Sequence, residues 1–457
     1  MGTTPEARYT PYTLGNMDAI PQLSRLSERR RLAMRAVAHV LPFRTNRYVV
    51  DELIDWDNVP DDPMFQLTFP QPGMLEPSDL AHVMTLLREG AARADIRGVA
   101  DRIRLKLNPH PAGQLEQNVP DLDGEPLPGL QHKYRETLLF FPGRGQTCHA
   151  YCTYCFRWAQ FVGMEGLKFS QRETETFHEY LRRHTEVSDV LFTGGDPMVM
   201  RAWHLRAYIE PLLGEGFEHI RHIRIGTKSL GFHPYKFVTD PDADEMMRLF
   251  EDVAKAGKHL AFMAHFTHPR ELETPIVQRA IERIRATGAV IRSQAPVVRH
   301  VNDSADTWAD MWRRQVALGV IPYYMFVERD TGPKSYFELP LARTHAIYRD
   351  AFRQVSGLAR TVRGPSMSAT PGKVLVLGTQ KVHGEKVFVL TFLRGRDRDW
   401  VGRPFFARYD ERATWLDDLQ PAFGERRFFF EQVPEDEAPR GRSSGSGLRA
   451  VSEPQRA

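Results

Sequence analysis

Between residues 137 and 327, six short apolar runs alternate with helical patterns, and that alternation limits the fold more than any other feature of the chain. The runs fall at 137–141, 190–193, 223–226, 260–265, 290–294 and 322–327. Between them stand QRETETFHEYLRRHT, DADEMMRLFEDVAKAG, PIVQRAIERIRATG and ADTWADMWRRQVALG, with apolar residues at helical spacing. The last three end in glycine, as a helix C-terminus does. Strands alternating with helices predict an α/β domain with a parallel sheet. Six such units fit a (β/α)6 partial barrel over 121–340. In barrels the chemistry sits at the C-terminal ends of the strands.

The flanks read differently. Helical patterns over about 20–40 and 78–95, the latter SDLAHVMTLLREGAARAD behind a Ser-Asp cap, predict a helical N-terminal extension over 1–120. The Pro/Gly/Asp-rich stretch 108–130 predicts an irregular connection. After the last run, LARTHAIYRDAFRQVSGLA reads as a helix. KVLVLGTQKVHGEKVFVLTF reads as a β-hairpin turning at His-Gly, so 341–433 forms a small β-containing segment. From 434 the chain is poor in apolar residues and reads as a disordered tail.

Bulk properties narrow the function. A net charge of +3 gives no reason to expect a nucleic-acid or membrane-surface partner. No run has the length of a membrane-spanning helix, and the N-terminus shows no apolar signal segment. The expected location is the cytoplasm, where thiols stay reduced.

All three cysteines of the chain lie within eight positions, as Cys148-x3-Cys152-x2-Cys155. An odd count makes a poor disulfide framework. Structural zinc takes four ligands, often from two C-x2-C pairs; there is no second pair, and His149 beside Cys148 would strain a tetrahedral shell. Three thiolates suit three irons of a [4Fe-4S] cluster and leave the fourth iron open to an amine and a carboxylate. The loop follows the first run, which places it at the C-terminal end of the barrel.

This spacing resembles the signature of the radical S-adenosylmethionine (SAM) superfamily, and implies its partial barrel and a SAM chelated on the open iron. Gly194-Gly195-Asp196 after the second run resembles the superfamily stretch that holds the SAM amino group, where backbone carbonyls can serve without the carboxylate. An ordered series of further pieces resembles the lysine 2,3-aminomutase family. These are PGL-Gln131-His132-Lys133-Tyr134, IRIGT-Lys228, Ala264-His265-FTHP, Ser293-Gln294 with Arg299-HVND, and Pro322-Tyr323-Tyr324. They run from about 120 to 385.

The resemblance implies pyridoxal 5′-phosphate (PLP) as a second cofactor, with Lys373 of ATPGK as its Schiff-base lysine, although the family's glycine run is here reduced to one. Lys133 and Tyr134 match family phosphate contacts, with Lys in place of Arg. Thr137 stands where the family has a further arginine, leaving Arg135 or a different donor for that role. Arg157 matches the arginine that binds the substrate carboxylate, and His265 and Gln294 fall among the cofactor-binding stretches. Arg329 and Ser366 stand where the lysine enzymes carry two aspartates for the distal ammonium. A guanidinium there attracts a carboxylate, which points to glutamate, and less to aspartate, rather than lysine. Glu328 and Asp330 flank Arg329, so a shift of one residue would restore an acid.

The implied activity is an isomerase moving an α-amino group to the β-carbon. It would take electrons from a donor such as flavodoxin or ferredoxin, with a homo-oligomer as a further expectation. Three rivals stand beside it: a radical SAM enzyme without PLP acting on a peptide or natural-product intermediate, retained lysine activity, and a non-catalytic zinc- or cluster-binding protein. No cysteine follows Cys155, so the zinc site of several family members has no ligands here.

Overall fold

The structure is a computed structural model and describes residues 9–107, 118–163, 169–170 and 174–431. The predicted tail from 434 and residues 108–117 of the predicted connection lie outside the described residues.

An eleven-stranded sheet organises the molecule. Its strands, in chain order, are β1 (Leu130–Tyr134), β2 (Thr137–Phe140), β3 (Asp189–Phe192), β4 (His222–Thr227), β5 (His259–His265), β6 (Val290–Val297), β7 (Ile321–Val327), β8 (Arg363–Ser368), β9 (Gly372–Val382), β10 (Glu385–Gly395) and β11 (Pro404–Arg408). They lie side by side in that order. Strands β2 to β8 pair in parallel, while β1 and β9 to β11 are antiparallel additions at the two edges. The six predicted strands are β2 to β7, and the predicted hairpin is β9–β10, turning at His383 (φ 48°) and Gly384 (φ 85°).

The main helices are α1 (Glu28–Val40), α2 (Pro77–Arg88), α3 (Arg93–Lys106), α4 (Thr174–Arg183), α5 (Ala202–Ile209), α6 (Ala243–Lys255), α7 (Pro275–Ala286), α8 (Ala305–Ala317) and α9 (Leu341–Arg353). In α6, Met246, Met247, Leu249, Phe250 and Val253 are buried, a stripe at helical spacing. It covers the outward residues of β5, where Phe250 meets Phe262 edge-on at 5.0 Å. The inward residues of β3 to β5 include Leu191, Ala261 and Met263 among charged ones, instead of the branched layers that fill a complete barrel. A cavity of about 530 Å³ therefore stays open inside.

The stretch 78–95 is two helices, α2 and α3. Pro77 opens α2 behind Glu76 in place of the expected Ser-Asp cap, because proline needs no N–H partner at a first helical position. Gly90, at φ 65°, breaks the run. Over 20–40 the α-helix begins only at Glu28, where the Ser27 hydroxyl accepts from Arg30 N. Strand β8 hides in the sequence behind Gly364-Pro365. It is accommodated because the β7–β8 register shifts between Tyr324 and Phe326, so Pro365 is not asked for a ladder hydrogen bond.

Candidate active site

The cysteine loop sits beyond the C-terminal end of β2. It is held from outside by the N-terminal extension. Tyr151 N donates to Arg44 O at 2.8 Å, and Thr153 N donates to Leu67 O at 2.9 Å. His149 O accepts from Asn46 Nδ2 at 3.2 Å and from the Tyr9 hydroxyl at 2.8 Å. The His149 ring is buried with Nδ1 on Ser229 Oγ at 2.8 Å, so it serves the scaffold. Burial pushes the Cys152 thiol up to about 12 and Cys155 up to about 11, and it raises Cys148 as well, with the other two thiols adding repulsion. Three clustered thiols that resist ionisation alone, with no disulfide among them, are a donor set that cationic iron stabilises as thiolates.

The turn after β3 packs on this loop. A Cβ on Gly195 would lie 2.4 Å from Thr147 O and 2.5 Å from Thr147 N, so only glycine permits the approach. Gly194 takes φ 140°, against Gln146. Asp196 differs from its expected cofactor contact. Its Oδ2 accepts from Thr227 Oγ1 (2.8 Å), Lys228 N (2.9 Å) and Ser229 Oγ (2.9 Å), while Oδ1 accepts from Met198 N (2.9 Å). The carboxylate is spent on joining the β3 and β4 loops, leaving backbone groups of the Gly194–Gly195 turn to face a ligand. His265, the last residue of β5, stands opposite Gln294 within β6. Burial and the nearby Lys228 bring the His265 imidazole down to about 3, so it is neutral at pH 7.

Below the cysteines, the cavity wall carries Lys133, Arg157, Arg224, Arg292, Arg329, Arg363, Lys373 and Arg394 against Asp189 as its one carboxylate among the described residues. Asp189 is taken by Arg224, whose Nε and Nη2 reach its two oxygens at 2.7 and 2.6 Å. The remaining cations make the cavity a receptor for anions.

Arg157 and Arg329 flank one ring. Their guanidinium carbons lie 5.0 and 5.3 Å from the Phe156 centroid, and Arg157 also stacks on Phe141 at 4.2 Å. Arg157 Nη1 and Arg329 Nε and Nη2 are buried without hydrogen-bond partners. Asp330 Oδ1, at 3.7 Å from Arg329 Nε, is too far to accept one. Arg329 itself lines the cavity, and neither Glu328 nor Asp330 does. Burial raises Glu328 well above its ordinary carboxylate value, against the pull of the adjoining Arg329. Ser366 is fully buried, with Oγ unpartnered, in register with Phe326. The β8 serine on the cavity wall is Ser368, opposite Lys373.

Lys373 opens β9. Its Nζ lies over the Tyr324 ring at 3.9 Å and the Phe326 ring at 4.9 Å. Burial, with Arg394, Arg224, Arg363 and Lys133 nearby, brings its amine down to about 7. A buried lysine with a substantial neutral fraction at pH 7, on an aromatic floor in a cationic cavity, fits an aldehyde cofactor that carries a phosphate. Lys133 reaches across the cavity and donates to Ala369 O at 2.7 Å. Tyr134, beside it, is stacked by Arg394 at 4.2 Å. Arg394 and the N-terminal clamps Arg44 and Asn46 had no sequence signal, because each acts on a segment at least a hundred residues away.

No family model matches the chain. A putative L-lysine 2,3-aminomutase of Aquifex aeolicus (strain VF5) is 29% identical over 396 residues, which cover 87% of this chain and 92% of the relative. The L-lysine 2,3-aminomutase of Escherichia coli (strain K12) is 29% identical over 250 residues, 54% of this chain and 68% of that protein. Among solved structures, a radical SAM methyltransferase from Sphaerobacter thermophilus is 14% identical, covers 51% of this chain and 68% of its own, and aligns with a TM-score of 0.35; nothing is built on that likeness. The ordered motifs and these relatives together make the chain similar to the L-lysine 2,3-aminomutases over most of its length.

Proposed function

We propose that this chain is a PLP-dependent radical SAM 2,3-aminomutase that moves the α-amino group of an acidic amino acid, glutamate first, to its β-carbon. The observation that carries the substrate reading is the pair of buried guanidiniums, Arg157 and Arg329, with unpartnered N–H groups on one cavity. One guanidinium recognises one carboxylate as a fork, and a dicarboxylic amino acid offers two. A lysine ammonium beside Arg329 would meet repulsion, and Asp189, the one described acid on the wall, is already held by Arg224.

When bound, the cluster with SAM supplies a 5′-deoxyadenosyl radical, and PLP supplies a π-system that spreads an unpaired electron. The residues of the chain do the positioning. Cys148, Cys152 and Cys155 would hold the cluster on the loop beyond β2, and the Gly194–Gly195 turn packed on that loop would present backbone groups beside it. Arg157 holds the α-carboxylate close to Cys155, and Arg329 holds the side-chain carboxylate across Phe156. Two carboxylates held by these anchors would fix the amino acid in one orientation in the cavity, which replaces a random encounter by a bound geometry. Lys373 offers a lone pair near neutral pH because burial and the surrounding cations bring its amine down to about 7. The neutral His265 avoids adding another positive charge to that end of the site.

The test is anaerobic turnover of reconstituted protein with SAM, PLP and reductant, comparing glutamate, aspartate and lysine, with β-amino acid products read by mass spectrometry. Glutamate is expected to give the fastest rate. Faster conversion of lysine would defeat the substrate reading, and no cleavage of SAM at all would defeat the enzyme reading.

A further inference from the structure

We infer that Arg394, on the C-terminal hairpin, is the guanidinium that holds the phosphate of PLP, across the open seam of the barrel from Lys133 and Tyr134. This rests on the PLP reading above.

The aldehyde and the phosphate arm of PLP sit on adjacent ring carbons, so the phosphate donor must stand beside the Schiff-base lysine. Arg394 is the cross-strand register partner of Lys373. Its guanidinium stacks on the Tyr134 ring at 4.2 Å and lines the same cavity as Lys133 and Lys373. Of the other cations nearby, two are held by hydrogen bonds and a third stacks on two rings of β7. Arg224 is held by both oxygens of Asp189. Arg363 is stacked on Tyr323 and Tyr324, at 4.4 and 4.5 Å. Arg396 donates to Thr370 O and Asn118 Oδ1.

Among the described residues, Arg394 Nη2 donates to Thr137 Oγ1 at 3.0 Å, and its nearest carboxylate, Glu136, is 3.8 Å away and already bound by Arg398. The Thr137 hydroxyl lies 3.3 Å from Asp189 Oδ2, to which it donates, so it orients Arg394 without neutralising it. The position that lacks an arginine thus carries a hook for one from another strand. Arg135, the local alternative, is exposed.

The experiment measures equilibrium binding of PLP and of pyridoxal, which lacks the phosphate, to the full cluster-loaded protein, with borohydride trapping at Lys373 read by peptide mass spectrometry. The variants are Arg394→Met, Arg394→Lys and Arg135→Met. The parent is expected to prefer PLP strongly. Arg394→Met is expected to weaken PLP by roughly 10- to 100-fold while leaving pyridoxal unchanged, in line with the loss of one charge-assisted phosphate contact. Arg394→Lys should recover part of that loss, and Arg135→Met should change neither affinity. Equal loss of both ligands in Arg394→Met, no loss of PLP, or loss of phosphate preference in Arg135→Met would overturn the inference. If the parent traps neither aldehyde, the PLP reading itself fails, a result distinct from PLP binding that is indifferent to residue 394.

Discussion

At the scale of the residue, burial sets the chemistry of Lys373. Its amine is brought down to about 7 from 10.5, chiefly by desolvation, with the surrounding arginines adding to the shift. The sign of the stability effect follows. Between those two values the unfolded chain binds more protons than the folded one, so stability rises with pH. The cost of burying the amine is full below pH 7 and fades toward 10.5. Lys373→Met removes that cost. Without cofactor, the variant should resist urea better than the parent at pH 7, and the gain in midpoint should shrink steadily as the pH rises toward 10.5. A gain that is constant over that range would mean the lysine is not held in its depressed state. Arg329 makes a different forecast, about recognition. Arg329→Asp should raise the KM for glutamate roughly 100-fold or more, since it replaces an attractive charge in a dry site by a repulsive one. Steady-state rates with glutamate and lysine, measured side by side, check both the loss and any gain for lysine.

At the scale of the element, the cysteine loop and the turn after β3 are packed as one piece. Gly195 touches the Thr147 backbone directly, and Asp196 N donates to Thr147 O at 2.7 Å. Gly195→Ala has no flexible neighbour to displace, so it should cost about 1–3 kcal/mol through overpacking and push the loop off its seat. Iron and sulfide content after reconstitution should fall together with the urea midpoint. A fully loaded cluster in this variant would show that the contact is not needed. The elements themselves were legible where periodicity was strong. β2 to β7 and the β9–β10 hairpin stand within three residues of their apolar runs, because the helix-covered face of each strand must be apolar and leaves little freedom in composition. Strand β8 was hidden because Gly364-Pro365 punctuates it, and α2 and α3 ran together because Gly90 interrupts a helical pattern without ending it. The cysteines were visible as a site because chemistry needs them close in sequence. Arg394 was not, since a lone arginine in a strand becomes meaningful only when curvature brings β10 back to β2.

At the scale of the whole molecule, that curvature joins the two ends of one sheet. Lys133 on β1 reaches Ala369 after β8, Arg394 on β10 reaches Thr137 on β2, and Arg398 pairs with Glu136. The seam is crossed by side chains rather than by a backbone ladder, so an anion lodged there ties both edges. The C-terminal strands are therefore part of the wall of the cavity as well as a lobe with its own apolar cluster. That cluster contains Val327 from β7 and Leu341 from α9 together with Met367, Val374, Phe388 and Leu390. A chain ending at residue 340 would keep Val327 and lose the residues that cover it. It would also lose β8, which leaves the parallel edge of β7 unpaired beside Tyr324 and Phe326. Such a fragment should aggregate on expression, or remain expanded, with strong binding of a hydrophobic dye and poor cluster loading. The full chain should unfold across the sheet in one transition when followed by far-UV circular dichroism and by tryptophan fluorescence. A soluble fragment 1–340 that carries a cluster and cleaves SAM at the parent rate would show instead that the partial barrel is sufficient alone, and that the C-terminal strands serve only the second cofactor.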